Sequence, residues 1–294
     1  MSLKSPEEYL ESLAALKIRA YVGGERVESI VDHPAIAPHI NTVAKTYELA
    51  HDPEHQEVMT TTSHLSGERI HRYTHIFQNA DDLVKKIQML RLLGQKTGTC
   101  FQRCVGLDAL NATYAVSYEI DAARGTDYHD RFKRYLRKVQ DADLMVAGAM
   151  TDPKGHRAKP PSQQDDPDAF VHVVERREDG VVIRGAKLHN TGGINSHEIL
   201  VLPGTGLKEG EEDYAIACAV PADADGVLFI FGRQSNDGRK LERGCADYGN
   251  PRFGVVGGEA MVVFDDVFVP NDRVFMDGET KHCGALVNYF ATWH

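Results

Sequence analysis

Apolar positions in the first half of the chain recur at helical spacing. Tyr9, Leu13 and Leu16 mark a helix over Pro6–Leu16, with Ser5 as its cap, Pro6 in its first position, and Glu7 and Glu8 at the positive end of the dipole. Gly23-Gly24 turns the chain, and Val31-Asp32-His33-Pro34 breaks it again because residues before proline avoid helical angles. A second helix is expected over Pro38–Asp52, stopped by Pro53. A longer one opens at Asp81-Asp82 and carries Leu83, Ile87, Leu90 and Gly94. It resumes through Cys100, Cys104, Leu107, Ala115 and Tyr118 to a stop at Arg124-Gly125. Phe132, Tyr135, Leu136 and Val139 stripe one more helix over Tyr128–Met145.

After Thr151-Asp152-Pro153-Lys154-Gly155 and a polar loop from His156 to Asp168, the period changes. Short apolar runs follow at Phe170–Glu175, Val181–Lys187, Glu198–Leu202, Tyr214–Val220, Val227–Phe231 and Ala260–Val269. Asp179-Gly180 between the first two is a hairpin signal. No helical crossover separates the runs, so this part is expected to be an antiparallel barrel or sandwich. A final helix begins at Gly284 with Leu286, Val287, Phe290 and Ala291 and reaches only Trp293-His294. Helices shorter than about 12–15 residues are marginal alone, so the chain is expected to be C-terminally truncated. The expected class is α+β: a helical N-terminal domain over residues 1–148, a β-rich middle domain over 149–280, and the start of a truncated helical domain over 281–294.

Composition narrows the function. The 294 residues are 42% hydrophobic and 26% charged, as in an ordinary globular protein. A net charge of −10 argues against nucleic acid and against an anionic membrane surface. The N-terminus has no apolar signal region, and no run approaches the roughly 18 apolar residues of a spanning helix. Five cysteines, an odd number, do not make a disulfide framework. The expected compartment is a reducing cytoplasm, where paired cysteines suggest metal or redox chemistry.

Common nucleotide and hydrolase motifs are missing. Gly204-Thr205-Gly206 has Glu209 where a dinucleotide fingerprint needs its third glycine. There is no Walker loop or Gly-x-Ser-x-Gly elbow, and His197-Glu198 lacks the second histidine of a zinc protease. What remains is Cys100-x-x-x-Cys104, whose spacing would place both thiols on one helical face. Two buried thiols satisfy that spacing as well as a metal site does. A metal site needs further ligands, and Cys283 and His294 are both open as candidates; Cys218 and Cys245 read as small hydrophobes. Two stretches of short polar residues and glycine, Lys187–Glu198 and Ala149–Gly155, flank the helix-to-strand junction, where ligands are commonly bound. Gly257-Gly258-Glu259 places a carboxylate at the mouth of a strand, an acid–base candidate if a cofactor buries it.

Together these stretches carry a resemblance. Cys-Phe-Gln-Arg-Cys-Val-Gly at 100–106, Gly-Ala-Met-Thr-Asp-Pro-Lys-Gly at 148–155 and Gly-Ala-Lys-x-His-x-Thr-Gly-x-Ile-Asn-Ser-His-Glu at 185–198 resemble the 4-hydroxybutyryl-CoA dehydratase/vinylacetyl-CoA Δ-isomerase family. Gly-Arg-Gln-Ser at 232–235 and Phe-Asp-x-Val-Phe-x-Pro-Asn-Asp-Arg at 264–273 do so too. The wider superfamily includes flavin-dependent 4-hydroxyphenylacetate 3-monooxygenases. The resemblance implies an acyl-CoA dehydrogenase-like architecture, FAD, a CoA thioester substrate and a homotetramer. It implies a [4Fe–4S] cluster held by Cys100, Cys104, His294 and a ligand beyond His294. It further implies flavin contacts from Ala149, Met150, Thr151, Asp152, Pro153, Lys154 and Gly155 and from His189, Asn190 and Thr191, with Glu259 and His294 as proton-transfer groups. Leu188, Asn190 and Gly193 depart from the family's residues around the flavin loop. Two other readings remain: a reduced-flavin aromatic hydroxylase of the same superfamily, which needs no cluster, and an inactive chain with a structural metal.

Overall fold

The computed structural model describes residues 3–232, 252–253 and 258–294. Its helices are α1 (Pro6–Ala14), α2 (Ala37–His51), α3 (Gln56–Met59), α4 (Ala80–Thr97), α5 (Cys104–Arg124), α6 (Tyr128–Asp141) and α7 (Thr280–Trp293). Ser5 and Glu8 close a reciprocal capping box on α1, which fixes its start as the sequence suggests. None of the described helices is long and apolar enough to cross a membrane.

The strands are β1 (Ala20–Val22), β2 (Glu25–Val27), β3 (Thr60–Thr62), β4 (Arg69–His71), β5 (Val146–Ala149), β6 (His172–Arg176), β7 (Gly180–Thr191), β8 (Glu198–Val201), β9 (Ile216–Pro221), β10 (Val227–Phe231), β11 (Glu259–Pro270) and β12 (Val274–Asp277). A six-stranded sheet runs β2-β1-β10-β11-β7-β6, a four-stranded sheet runs β12-β9-β8-β5, and β3 pairs β4. The expected antiparallel order holds for most pairs, including the β6–β7 hairpin at Asp179-Gly180. Two pairs depart from it: β1 lies parallel to β10, and β5 parallel to β8. Parallel neighbours require a long excursion between them, and both pairs join segments far apart in sequence. β1 and β2 thus carry the N-terminal region into the large sheet, and β5 spans the expected junction at 148.

β8 explains why the strands read as continuous apolar runs. Ile199 and Val201 pack with the six-stranded sheet, α1 and α2, among them Tyr9, Val43, Ile183, Phe229 and Phe264. Leu200 and Leu202 face the other way, against Leu110, Leu136, Val139, Phe275 and Leu286. The four-stranded sheet is therefore a middle layer buried on both faces. α5 lies directly on it: a Cβ on Gly106 would sit 1.9 Å from the Val146 carbonyl oxygen. Cys218 is a fully buried core residue, as read from the sequence. Cys245, Gly257 and the 233–235 part of the motif lie outside the described residues.

The expected continuous helix through the cysteine pair is broken. α4 ends at Thr97, and Gly98 follows in the left-handed region at φ 68°. The chain then runs without helix to Cys104, the first residue of α5, with Gln102 also left-handed at φ 69°. Cys100 and Cys104 are therefore a loop residue and a helix-start residue, not two members of one helical face.

Candidate functional site

Pairing register builds the first part of the site. Glu259 opens β11 opposite Thr191, the last residue of β7. A bulge next to this pair contains His189 at φ 50°, a local kink that re-aims side chains at a strand end. Thr191 Oγ1 donates to Glu259 Oε1 at 3.3 Å, and His189 Nδ1 lies 3.4 Å from Glu259 Oε2. Asn190 between them is buried, and neither its Oδ1 nor its Nδ2 has a partner among the described residues. Residues 189–191, read as loop from the sequence, are thus strand. An amide with its whole hydrogen-bonding capacity unmet in a buried place fits a polar ligand group.

The second polar stretch joins the first. The Leu188 N–H donates to the Thr151 carbonyl at 2.8 Å. Buried Lys187 donates to the Met150 carbonyl at 3.1 Å and to Asp152 Oδ1 at 2.5 Å. Met150, Thr151, Asp152, Pro153, Lys154 and Gly155 line a cavity of about 630 Å³, with Arg157, Lys159 and Lys208 adding positive charge to that of Lys154. Ala149 is buried at the end of β5 behind them. Gly204 closes the cavity wall: a Cβ there would meet Asp152 Oδ2 at 2.3 Å and the Met150 carbonyl at 2.5 Å. Gly204-Thr205-Gly206 thus contributes to a ligand-sized cleft although it is no dinucleotide fingerprint.

Two buried side chains fix the loop between the cysteines. Gln102 Nε2 donates to the His39 carbonyl at 2.8 Å, and Asn195 Nδ2 donates to Gln102 Oε1 at 2.5 Å. Cβ atoms on Gly192 and Gly258 would come within 2.9 and 3.0 Å of Gln102, so glycine lets the flanks of β7 and β11 close on it. Arg103 lies over the rings of Tyr47 and Tyr73, at 4.4 and 4.8 Å, and donates to Thr46 Oγ1.

Burial raises the Cys100 thiol pKa, and the charge of Glu259 adds to the rise. Burial pushes the Cys104 thiol up to about 12, with Cys100 and Asp108 adding to it. Both thiols are therefore protonated in the absence of a cation, and metal ligation requires releasing their protons.

Asp108, one helical turn beyond Cys104, is the residue that sequence reading missed. It is fully buried, with Oδ1 2.6 Å from Lys86 Nζ and Oδ2 2.8 Å from His294 Nδ1. The only signal for it was its i+4 offset from Cys104. The hydrogen bond to Asp108 raises the His294 pKa, against the effect of burial. Cys283, the other open candidate, is buried near the start of α7 and bonds to the Glu279 carbonyl. Eleven residues separate it from His294, about 16 Å along a helix, so α7 does not bring the two together.

The structure thus sets Thr191 and His189 against Glu259, and His294 against Asp108, which lies one turn beyond Cys104 on α5. Among the described residues, no three His, Cys, Asp or Glu side chains converge as a single metal ion would need. A cluster distributes its ligands over separate irons and needs no such convergence. The donor set of one buried thiol, one half-buried thiol and a carboxylate-braced imidazole fits a group of that kind.

Comparisons with known proteins give the family. The chain is 54% identical over 293 residues to the 4-hydroxybutyryl-CoA dehydratase/vinylacetyl-CoA-Δ-isomerase of Clostridium aminobutyricum, covering 99% of this chain and 59% of that protein. An oxygen-tolerant archaeal 4-hydroxybutyryl-CoA dehydratase from N. maritimus superposes with a TM-score of 0.94 at 48% identity, over 100% of this chain and 58% of that one. The FAD complex of the oxygenase component of 4-hydroxyphenylacetate 3-monooxygenase superposes at 0.80 with 30% identity, over 99% and 58%. The chain therefore spans somewhat more than half the length of these relatives and corresponds to their N-terminal part. The family described as 4-hydroxyphenylacetate 3-hydroxylase N terminal matches residues 5–276. The chain belongs to that family, as a homologue of 4-hydroxybutyryl-CoA dehydratase.

Proposed function

We propose that this chain provides the N-terminal, cofactor-contacting part of an FAD- and [4Fe–4S]-dependent dehydratase that converts 4-hydroxybutyryl-CoA to crotonyl-CoA. Vinylacetyl-CoA Δ-isomerisation would be its second activity, in an acyl-CoA dehydrogenase-like homotetramer. The observation that carries this reading is the packing of Gly192 and Gly258, the chain neighbours of Thr191 and Glu259, against Gln102 in the loop between Cys100 and Cys104. It supports reading the strand ends at Thr191 and Glu259 and the loop between the cysteines as parts of one site.

The net reaction removes hydroxyl from C4 and protons from C3 and C2, and returns one proton to C4, so one water is lost. When bound, a flavin supplies one-electron exchange with the substrate and a cluster iron supplies Lewis acidity toward the departing hydroxyl. Met150–Gly155, His189, Asn190 and Thr191 would hold the flavin, while Cys100, Cys104 and His294 would hold the cluster. We assign proton transfer at C3 to Glu259, whose carboxylate is steadied by the Thr191 hydroxyl and lies beside His189. His294 is the second proton-transfer candidate. The cationic lining of the cleft around Lys154, Arg157 and Lys208 suits the phosphates of a nucleotide or CoA group.

A reduced-flavin phenol hydroxylase is the second reading, favoured by the 0.80 superposition on the monooxygenase component. Anaerobic incubation of the cofactor-loaded protein with 4-hydroxybutyryl-CoA, followed by detection of crotonyl-CoA, separates the two. The dehydratase reading predicts turnover that Cys100→Ala abolishes. Oxygen-dependent phenol hydroxylation that survives Cys100→Ala would replace it with the hydroxylase reading.

A further inference from the structure

The end of α7 rests on a buried ion pair. Lys86 of α4 and Asp108 of α5 are 1% and 0% exposed. The Lys86 ammonium donates to Asp108 Oδ1 and also to the Trp293 carbonyl. The other carboxylate oxygen, Oδ2, pairs with His294 Nδ1 at 2.8 Å. Two helices thus hold the last turn of a third through one main-chain contact and one side-chain contact.

A buried ion pair is weak as a source of stability, because desolvating both charges offsets their attraction. Its use here is directional. The His294 side chain is 57% exposed, so packing does not set its orientation. The hydrogen bond to Asp108 occupies Nδ1 and leaves Nε2 as the nitrogen that can bind a metal. A carboxylate on the remote nitrogen fixes the tautomer and ring plane of a ligating histidine and strengthens it as a donor. Asp108 lies one turn from Cys104 on α5, so the same helix carries a thiol and the group that aims the imidazole.

We propose that Asp108, seated by Lys86, is the positioning residue that presents His294 Nε2 to cluster iron. This deepens the cluster reading above and rests on it.

The test begins on the metal-free chain. Histidine side chains are labelled with nitrogen-15, and the His294 signals are assigned by their loss in His294→Gln. In buffer alkaline enough to keep the ring neutral, the wild-type chain should show His294 protonated on Nδ1. Asp108→Asn is nearly isosteric, and its amide oxygen can still accept from Lys86. Its NH2 group would then face His294 and donate to Nδ1, moving the ring proton to Nε2. A wild-type ring protonated on Nε2 overturns the proposal by itself, even if the variant fails to fold. So does an Asp108→Asn ring whose tautomer is unchanged.

The second arm uses iron and sulfide, added anaerobically. After one-electron reduction of the cluster with dithionite, pulsed electron paramagnetic resonance should detect in wild type an imidazole nitrogen coupled to the iron, and Asp108→Asn should lose that coupling while retaining cysteine-bound iron. An unchanged coupling overturns the proposal. A wild-type chain that takes up no iron overturns the cluster reading and the proposal's iron-directed part together. The nitrogen-15 result then still reports whether Asp108 orients His294.

Discussion

Glu259 and Thr191 face each other as the first residue of one strand and the last of its neighbour, with the threonine hydroxyl donating to the carboxylate across the ladder at 3.3 Å. The pairing register alone makes them neighbours, though 68 positions separate them in sequence.

If Glu259 moves the proton, replacing its carboxylate with an amide removes the base while preserving shape. Glu259→Gln is expected to lower turnover by about 10²–10⁴-fold, with flavin and iron content unchanged. Thr191→Val removes one hydrogen bond to the carboxylate and should lower turnover less. Crotonyl-CoA formation and the flavin absorbance of the same samples check both. Turnover of Glu259→Gln at the wild-type rate would remove Glu259 from the mechanism.

Gly106→Ala should be severely destabilising, by about 3 kcal/mol or more, because its methyl would meet the backbone oxygen of Val146 at 1.9 Å and the middle sheet cannot retreat. Gly125→Ala is the comparison. Gly125 caps α5 at φ 70° with open space around it, so the penalty there is backbone strain of about 1 kcal/mol. Urea denaturation of the two variants measures the difference, and equal losses would contradict the close α5–β5 approach.

Much of this organisation was legible in the sequence, and for identifiable reasons. Ser5-Pro6 with Glu7 and Glu8 marks α1, and Asp179-Gly180 marks the β6–β7 hairpin, because caps and turns depend on local residue chemistry. Non-local pairing leaves no such trace: Ala20–Val22 becomes a strand by docking parallel to Val227–Phe231, about 200 positions away. The helix through Cys100 was misread because periodicity outweighed Gly98, whose left-handed geometry ends α4. Cys100, Cys104, His294 and Glu259 stood out through their motifs. Asp108 and Lys86 did not, since an acid and a base on helices ordinarily face water, and only the packing of α4 on α5 and α7 buries them.

His197 gives the fold a sensitivity to acid. It is buried, takes the Met145 N–H on Nδ1 at 3.1 Å and pairs through Nε2 with Ser12 Oγ. Burial lowers its pKa to about 3, against an ordinary value of 6.5. Between those values the unfolded chain binds a proton that the folded chain does not. Stability therefore falls as pH drops below about 6.5, by about 2 kcal/mol at pH 5. His197→Gln should flatten that part of the curve in urea denaturation at pH 7 and pH 5. An unchanged slope would show that other groups carry the acid response.

The central claim is that Cys100 and Cys104 ligate a cluster. Its most direct measurement is iron and acid-labile sulfide per chain after anaerobic reconstitution with FAD, ferrous iron and sulfide. The wild-type protein should retain iron and sulfide in equal amounts, and Cys100→Ala and Cys104→Ala should lose most of both while still binding FAD. A wild-type protein that binds FAD without iron, or cysteine variants that retain the full complement, would contradict it.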